Sequence, residues 1–178
     1  AKNDLEKLTL EFQDTESGEM KLVDSPKENI KPTRASRLPT KTKTALPYRR
    51  YISEGGFVIL VGKSSKGNDA LTFKVSKQDD MWLHARGTPG SHVIIELEKK
   101  KTIPSEALKD AANLALFYSD LRKSGKGEVI YTLRKNVRKP KGAKPGSVTV
   151  TQEKTIWVYV DQIRLDRLKN SVAPLSLI

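Results

Sequence analysis

The chain has 178 residues, 33 Lys+Arg against 21 Asp+Glu, a net charge of +12 and no cysteine. That length accommodates one domain with a tail rather than two domains, and the missing cysteines exclude disulfides and thiolate metal sites while fitting a reducing, cytoplasmic setting. No apolar run approaches the roughly 18 residues of a membrane span, and no signal-peptide pattern opens the chain.

The charge is unevenly spread. Residues 1–28 carry four lysines against eight acids, a net of −4, which leaves +16 for residues 29–178. A body this basic points first to a polyanion, because each Lys or Arg on a phosphate releases a condensed counterion. Residue 1 is Ala rather than Met, as expected of a piece of a longer protein.

Residues 1–46 read as an arm or linker. LEKLTLEF (5–12) could form a short helix or strand, but NIKPTRASRLPTKTKTALP (29–47) has three prolines, many Ser/Thr and basic residues, and no acid. Such blocks are solvated linkers. The domain is expected over 47–170, with 171–178 as a tail. FVILVG (57–62) is a short apolar strand closed by the polar turn 62–67, and ALTFKV (70–75) alternates as its return strand. QDDMWLHAR (78–86) places Met81, Leu83 and Ala85 on one face and Trp82, His84 and Arg86 on the other. HVIIEL (92–97) follows the Gly87-Thr88-Pro89-Gly90 turn.

The spacing then predicts one long helix over about 104–123, with Pro104 just inside its start, Glu106 in the first turn and Gly125 past its end. EVIYTL (128–133), SVTVTQ (147–152) and TIWVYV (155–160) are further strands, and DQIRLDRLK (161–169) is a short closing helix. Strands flanking one long helix predict an α+β fold, a mostly antiparallel twisted sheet packed on that helix.

Three constellations carry chemistry. Gly62-Lys63-Ser64 invites a phosphate-loop reading, but that motif needs a glycine where Phe57 stands. What remains is a turn presenting Lys63 and Lys66, or simply a polar turn. His84 and His92, the two histidines of the chain, flank one tight turn beside Arg86. A metal site wants a third ligand, and the guanidinium would repel a dication. Ser91 and His92 are strand neighbours pointing to opposite faces, so a Ser–His dyad is disfavoured. The histidines are then either hydrogen-bonded core residues or polar readers, with Trp82, His84 and Arg86 able to stack on bases or clasp phosphates. Trp82 packing under the helix is the competing reading. RKNVRKPKGAKPG (134–146) holds Arg134, Lys135, Arg138, Lys139, Lys141 and Lys144 in thirteen positions with no acid. Its prolines and glycines exclude a helix, and an extended basic loop between strands suits a phosphate backbone.

Taken together, GKSSKGNDALTF (62–73), DDMWLHARGTPGSHVII (79–95), AANLALFYSDLRKSGK (111–126) and YTLRKNVRKPKGAKPGSV (131–148) resemble the NFACT-R domain. This is the RNA-binding module of ribosome-associated quality-control factors, once labelled fibronectin-binding proteins. The resemblance implies an RNA-binding module, not an enzyme, without a cofactor. Its implied partners are tRNA and large-subunit rRNA during rescue of stalled large subunits. It places the RNA-facing candidates on Lys63, Asn68, His84, Arg86, His92, Lys135, Arg138, Lys139, Lys141 and Lys144. Asp69, Trp82, Pro89, Gly90 and Ser91 belong to the same signature. The rivals are an extracellular adhesin-type domain, on the older label, and a histidine–metal hydrolase.

Overall fold

A computed structural model describes residues 45–98 and 102–172. The expected arm over 1–44 and the end of the expected tail, 173–178, lie outside the described residues.

Six antiparallel strands form the main sheet: β1 (Tyr48–Ile52), β2 (Val58–Gly62), β3 (Met81–Ala85), β4 (Val93–Ile95), β5 (Lys126–Leu133) and β8 (Lys154–Tyr159), in the order β1-β2-β4-β3-β5-β8. The fold is α+β. Strand alternation divides the apolar side chains between two layers. Ile59, Val61, Leu83, Val93, Ile95, Val129 and Val158 face the helices α2 (Ser105–Phe117) and α3 (Gln162–Asn170). Leu60, Trp82 and Ile94 face the opposite way and meet a second cover.

That second cover has two parts, and periodicity misread the first. Residues 65–75 are helical rather than a return strand: α1 (Ser65–Ala70) runs straight into a π-helical turn, Leu71–Val75. Ser64 caps it by accepting the Gly67 N–H at 3.0 Å. The buried residues are Gly67, Asn68, Leu71 and Thr72, pairs four positions apart, as one helical face requires. The alternation of Leu71, Phe73 and Val75 imitated a strand, and tertiary packing overrode it. The other part is the basic segment. It is a short 3₁₀ turn, Arg134–Asn136, followed by a ribbon of β6 (Val137–Arg138) paired with β7 (Thr149–Val150). Val137 plugs the layer beside Trp82, Leu71 and Leu60.

The expected long helix is also corrected. It begins at Ser105, Pro104 remaining extended, and ends at Phe117, with a separate 3₁₀ turn over Asp120–Ser124. The break has a backbone cause. The loop before β4 takes the partners that a continuing helix would use: Ser91 N–H donates to the Tyr118 carbonyl at 2.9 Å and Asp120 N–H to the Pro89 carbonyl at 3.1 Å. Gly90 permits this approach, since a Cβ there would lie 2.8 Å from Ser119 Cβ.

β1 was not foreseen as a strand. Its Arg49 and Arg50 disguise an edge strand whose Tyr51 is buried and bonded to Tyr118 through the two hydroxyls at 2.5 Å. Arg49 lays its guanidinium over the Tyr118 ring, 4.7 Å from the centroid.

Candidate nucleic-acid interface

The site is built where α1, the β3–β4 turn and the basic ribbon converge on the second face of the sheet. Asn68 is the joint between the first two. Its Nδ2 donates to the Gly90 carbonyl at 3.2 Å, and its Oδ1 accepts the His92 N–H at 3.0 Å. Gly62 makes room for it: a Cβ at Gly62 would fall 2.0 Å from Asn68 Oδ1. Asn68 is therefore buried, holding the loop in shape.

Asp69, next in the helix, fixes the ribbon. One carboxylate oxygen accepts the Gly146 N–H at 2.9 Å and the other the Lys139 ammonium at 2.8 Å. Burial pushes the Asp69 carboxyl up, but the bonds from Lys139 and Gly146 outweigh it and hold the group below the usual carboxylate range. Lys139 also donates to the Lys144 carbonyl at 2.6 Å, closing the loop on itself.

The two histidines do meet. Their ring centroids lie 5.4 Å apart, edge to face, and both contact Trp82, His84 stacked at 5.8 Å and His92 edge-on at 5.2 Å. His92 is buried, with Nδ1 2.9 Å from Thr72 Oγ1. Burial, reinforced by the neighbouring His84, pushes the His92 imidazole down to about 3, and burial lowers His84 too. Both rings are neutral near pH 7. Among the described residues no group of three or more His, Cys, Asp or Glu could hold a metal ion. Trp82 is fully buried beneath α1 and the ribbon, on the face opposite the long helix expected to cover it. Its indole N–H has no hydrogen-bond partner among the described residues.

The cations divide into paired and free. Arg86 is exposed, 3.7 Å from Glu128 and donating to Thr155 Oγ1 at 3.1 Å. Lys135 lies 3.5 Å from Asp79, and the Lys63 ammonium donates to the Leu46 carbonyl at 2.9 Å. Arg134 is not free either: its Nε donates to the Thr72 carbonyl at 2.6 Å and its guanidinium covers Phe73. Arg138, Lys141 and Lys144 are exposed and have no acidic partner among the described residues.

A ribbon whose Arg138, Lys141 and Lys144 have no acidic partner among the described residues, pinned by a half-buried carboxylate over an aromatic sheet face, is geometry suited to a phosphate chain. The family model described as the NFACT protein RNA binding domain matches residues 47–152, which include α1, the histidine turn and the ribbon. The chain belongs to this family.

Relatives agree with that assignment. Over 122 residues the chain is 40% identical to the Rqc2 homolog RqcH of Bacillus subtilis, covering 68% of this chain and 21% of that protein. It is 39% identical over 128 residues to the Rqc2 homolog RqcH of Streptococcus suis, covering 71% and 23%. The chain thus spans about a fifth of the length of these curated relatives. The C-terminal structure of the fibronectin/fibrinogen-binding protein from Streptococcus suis superposes with a TM-score of 0.63 at 38% identity, covering 70% of this chain and 48% of that one.

Just beyond the residues matched by the family model, sequence reasoning missed two exposed aromatics on β8, Trp157 and Tyr159, on the same sheet face as Arg86. The signal was present in TIWVYV: Ile156 and Val158 occupy the phase that packs under the helices, and Trp157 and Tyr159 occupy the other.

Proposed function

We propose that the domain is an RNA-binding module of a ribosome-associated quality-control factor, docking tRNA or large-subunit rRNA through its ribbon face. The observation that carries this reading is the pinned ribbon with Arg138, Lys141 and Lys144 unpaired, inside a match to an RNA-binding family. Arg86, Lys63 and Lys135 flank it and supply further phosphate contacts. Lys139 positions the ribbon through Asp69, and Asn68 and His92 hold the loop beneath. The names of the relatives support the ribosomal setting, and the match to an RNA-binding module supports a role in docking rather than catalysis.

The test is a titration of the chain against purified tRNA and a large-subunit rRNA fragment at two salt concentrations, with and without a chelator. Affinity is expected to fall with a log–log slope of about −0.9 per phosphate contact for duplex regions and about −0.7 for single strands. The chelator should make no difference beyond its effect on the RNA. A flat salt dependence would sink the reading. The name of the Streptococcus suis structure supplies the second reading, a protein ligand; fibronectin in the same titration separates the two.

A further inference from the structure

The ribbon and α1 cover only part of the second sheet face. Beyond His84 the face continues over β5 and β8, and there the register lays out what is exposed. Ile130 pairs with both His84 and Thr155, Glu128 with Trp157, and Lys126 with Tyr159. Arg86 hydrogen-bonds to the Glu128 carbonyl through its own N–H, so Arg86, Glu128 and Trp157 form one row and Lys126 and Tyr159 the next.

Trp157 is 53% and Tyr159 65% exposed, with ring centroids 6.4 Å apart. Large aromatics held in water on a rigid strand need an explanation, because the other phase of the same strand shows that β8 could place apolar groups in the core. The Arg86 guanidinium reaches across β5 to Thr155 Oγ1 at 3.1 Å, beside Trp157. Glu128 offsets Arg86 at 3.7 Å, so the net charge of this strip is small and it is a poor phosphate clamp by itself. The strip offers two exposed rings, inclined 71° to one another, with cations at their margin, and it begins where the basic ribbon's cover ends, at His84.

We propose that Trp157 and Tyr159 form a stacking platform for unpaired bases of a single-stranded RNA segment whose phosphates run onto the basic ribbon. This rests on the RNA-binding reading above and adds the substrate class: an unpaired segment rather than a continuous duplex. Residues i and i+2 of a strand present two rings on one side about 6.6 Å apart, a step that successive splayed bases can follow. Stacking is indifferent to base identity, since every base has a π face.

The experiment uses the full chain and two fluorescent probes, an unstructured ten-nucleotide single-stranded RNA and a blunt RNA duplex of the same length. Against wild type are set Trp157→Ala with Tyr159→Ala, and the conservative Trp157→Phe with Tyr159→Phe. Both positions are exposed, so each variant should keep the wild-type melt. The alanine pair should bind the single strand about ten-fold or more weakly, with an unchanged salt slope and duplex affinity within about two-fold. The phenylalanine pair should recover most of the loss. Trp157 is the exposed one of two tryptophans, Trp82 being buried. RNA should therefore quench the acrylamide-accessible fraction of wild-type emission, and should leave the emission of Trp157→Phe unchanged. If wild type binds RNA and the alanine pair binds the single strand equally well, the platform is wrong and the RNA-binding reading survives. Equal losses on single strand and duplex would also overturn stacking. If wild type binds neither probe, both readings fall.

Discussion

Asp69 and Lys139 join the first helix to the basic ribbon across 70 positions of sequence, with Nζ 2.8 Å from the carboxylate. Both side chains are partly shielded, at 27% and 29% exposure, so the pair is screened less than a surface salt bridge. The Gly146 N–H on the second oxygen makes the carboxylate a two-point anchor. Without it, the repulsion among Arg138, Lys141 and Lys144 would favour an open, solvated loop. One acid thus converts a run of like charges into a presented surface.

It follows that the ribbon's basic residues differ in kind. Lys139→Met should lower the melting temperature and leave the salt slope of RNA binding nearly unchanged, because its charge is already matched. Reversal of Arg138, Lys141 and Lys144 to Glu should leave the melt intact, weaken RNA binding by at least about ten-fold and flatten the slope by about one unit per lost contact. Salt titrations alongside thermal melts separate the two classes. Equal effects of all four substitutions on binding would mean that the ribbon is only a solvated run.

Much of this was legible in the sequence, and the limits have physical causes. The strands over 57–62, 78–86, 92–97, 128–133 and 155–160 and the closing helix follow from periodicity, because burial on one or two faces imprints it directly. The helical 65–75 segment failed the same test. A short helix lying on a sheet buries few residues, and Leu71, Phe73 and Val75 gave a false period of two. The Ser64 cap was the available clue. The break at Tyr118 was illegible because its cause is remote in sequence: the Ser91 N–H of the loop before β4 takes the Tyr118 carbonyl. In the candidate site, the basic run was visible as composition. The division of its charges into Lys139, matched, and Arg138, Lys141 and Lys144, unmatched, depends on Asp69 and could not be read. The strand phase that exposes Trp157 and Tyr159 was readable.

The histidines give the domain a pH-dependent stability. His92 is buried neutral, its imidazole pushed down to about 3, whereas unfolded histidine titrates near 6.5. Between these values the unfolded state binds the extra proton, so stability rises with pH and is lost as pH falls below about 6.5. His92 alone should cost up to about 2 kcal/mol at pH 5 relative to pH 7.5. The carboxyls of Asp69 and Glu106 are held below their usual range and act at lower pH. Urea melts at pH 7.5, 6.5, 5.5 and 5.0 measure the limb. His92→Gln should be less stable at neutral pH and should flatten it; an unchanged limb would assign it to other groups.

Removal of residues 1–44 should leave a cooperative urea transition with the wild-type midpoint. Among the described residues, both apolar layers are formed from Tyr48 onward. The cut must stay ahead of Ala45, because the Leu46 carbonyl accepts from Lys63 Nζ and the Pro47 carbonyl from Lys63 N–H at 3.0 Å. A broad or lost transition would show that the removed residues pack on the domain.

On the helical side, a buried carboxylate holds α2 to α3. Asp110 has no exposed surface, and one of its oxygens accepts from Arg164 Nη1 at 2.5 Å and Arg167 Nη2 at 2.7 Å. Its second oxygen accepts the Glu54 N–H at 3.2 Å, tying in the turn after β1. Arg164 also reaches Glu106 at 2.8 Å, so a second acid is within its grasp and Arg167 is left with Glu54 at 4.0 Å. Asp110→Ala leaves two partly buried guanidiniums without their shared acceptor and should cost about 3 kcal/mol, within the range for breaking a buried pair. Asp110→Asn keeps the shape and one acceptor and should cost less. The double variant with Arg167→Met should recover part of the loss, since the uncompensated charge goes with it. None of these lies on the ribbon face, so RNA affinity of the folded protein should stay within about two-fold, measured well below the melting temperature. A parallel loss of affinity would mean that the α2–α3 layer shares in RNA binding.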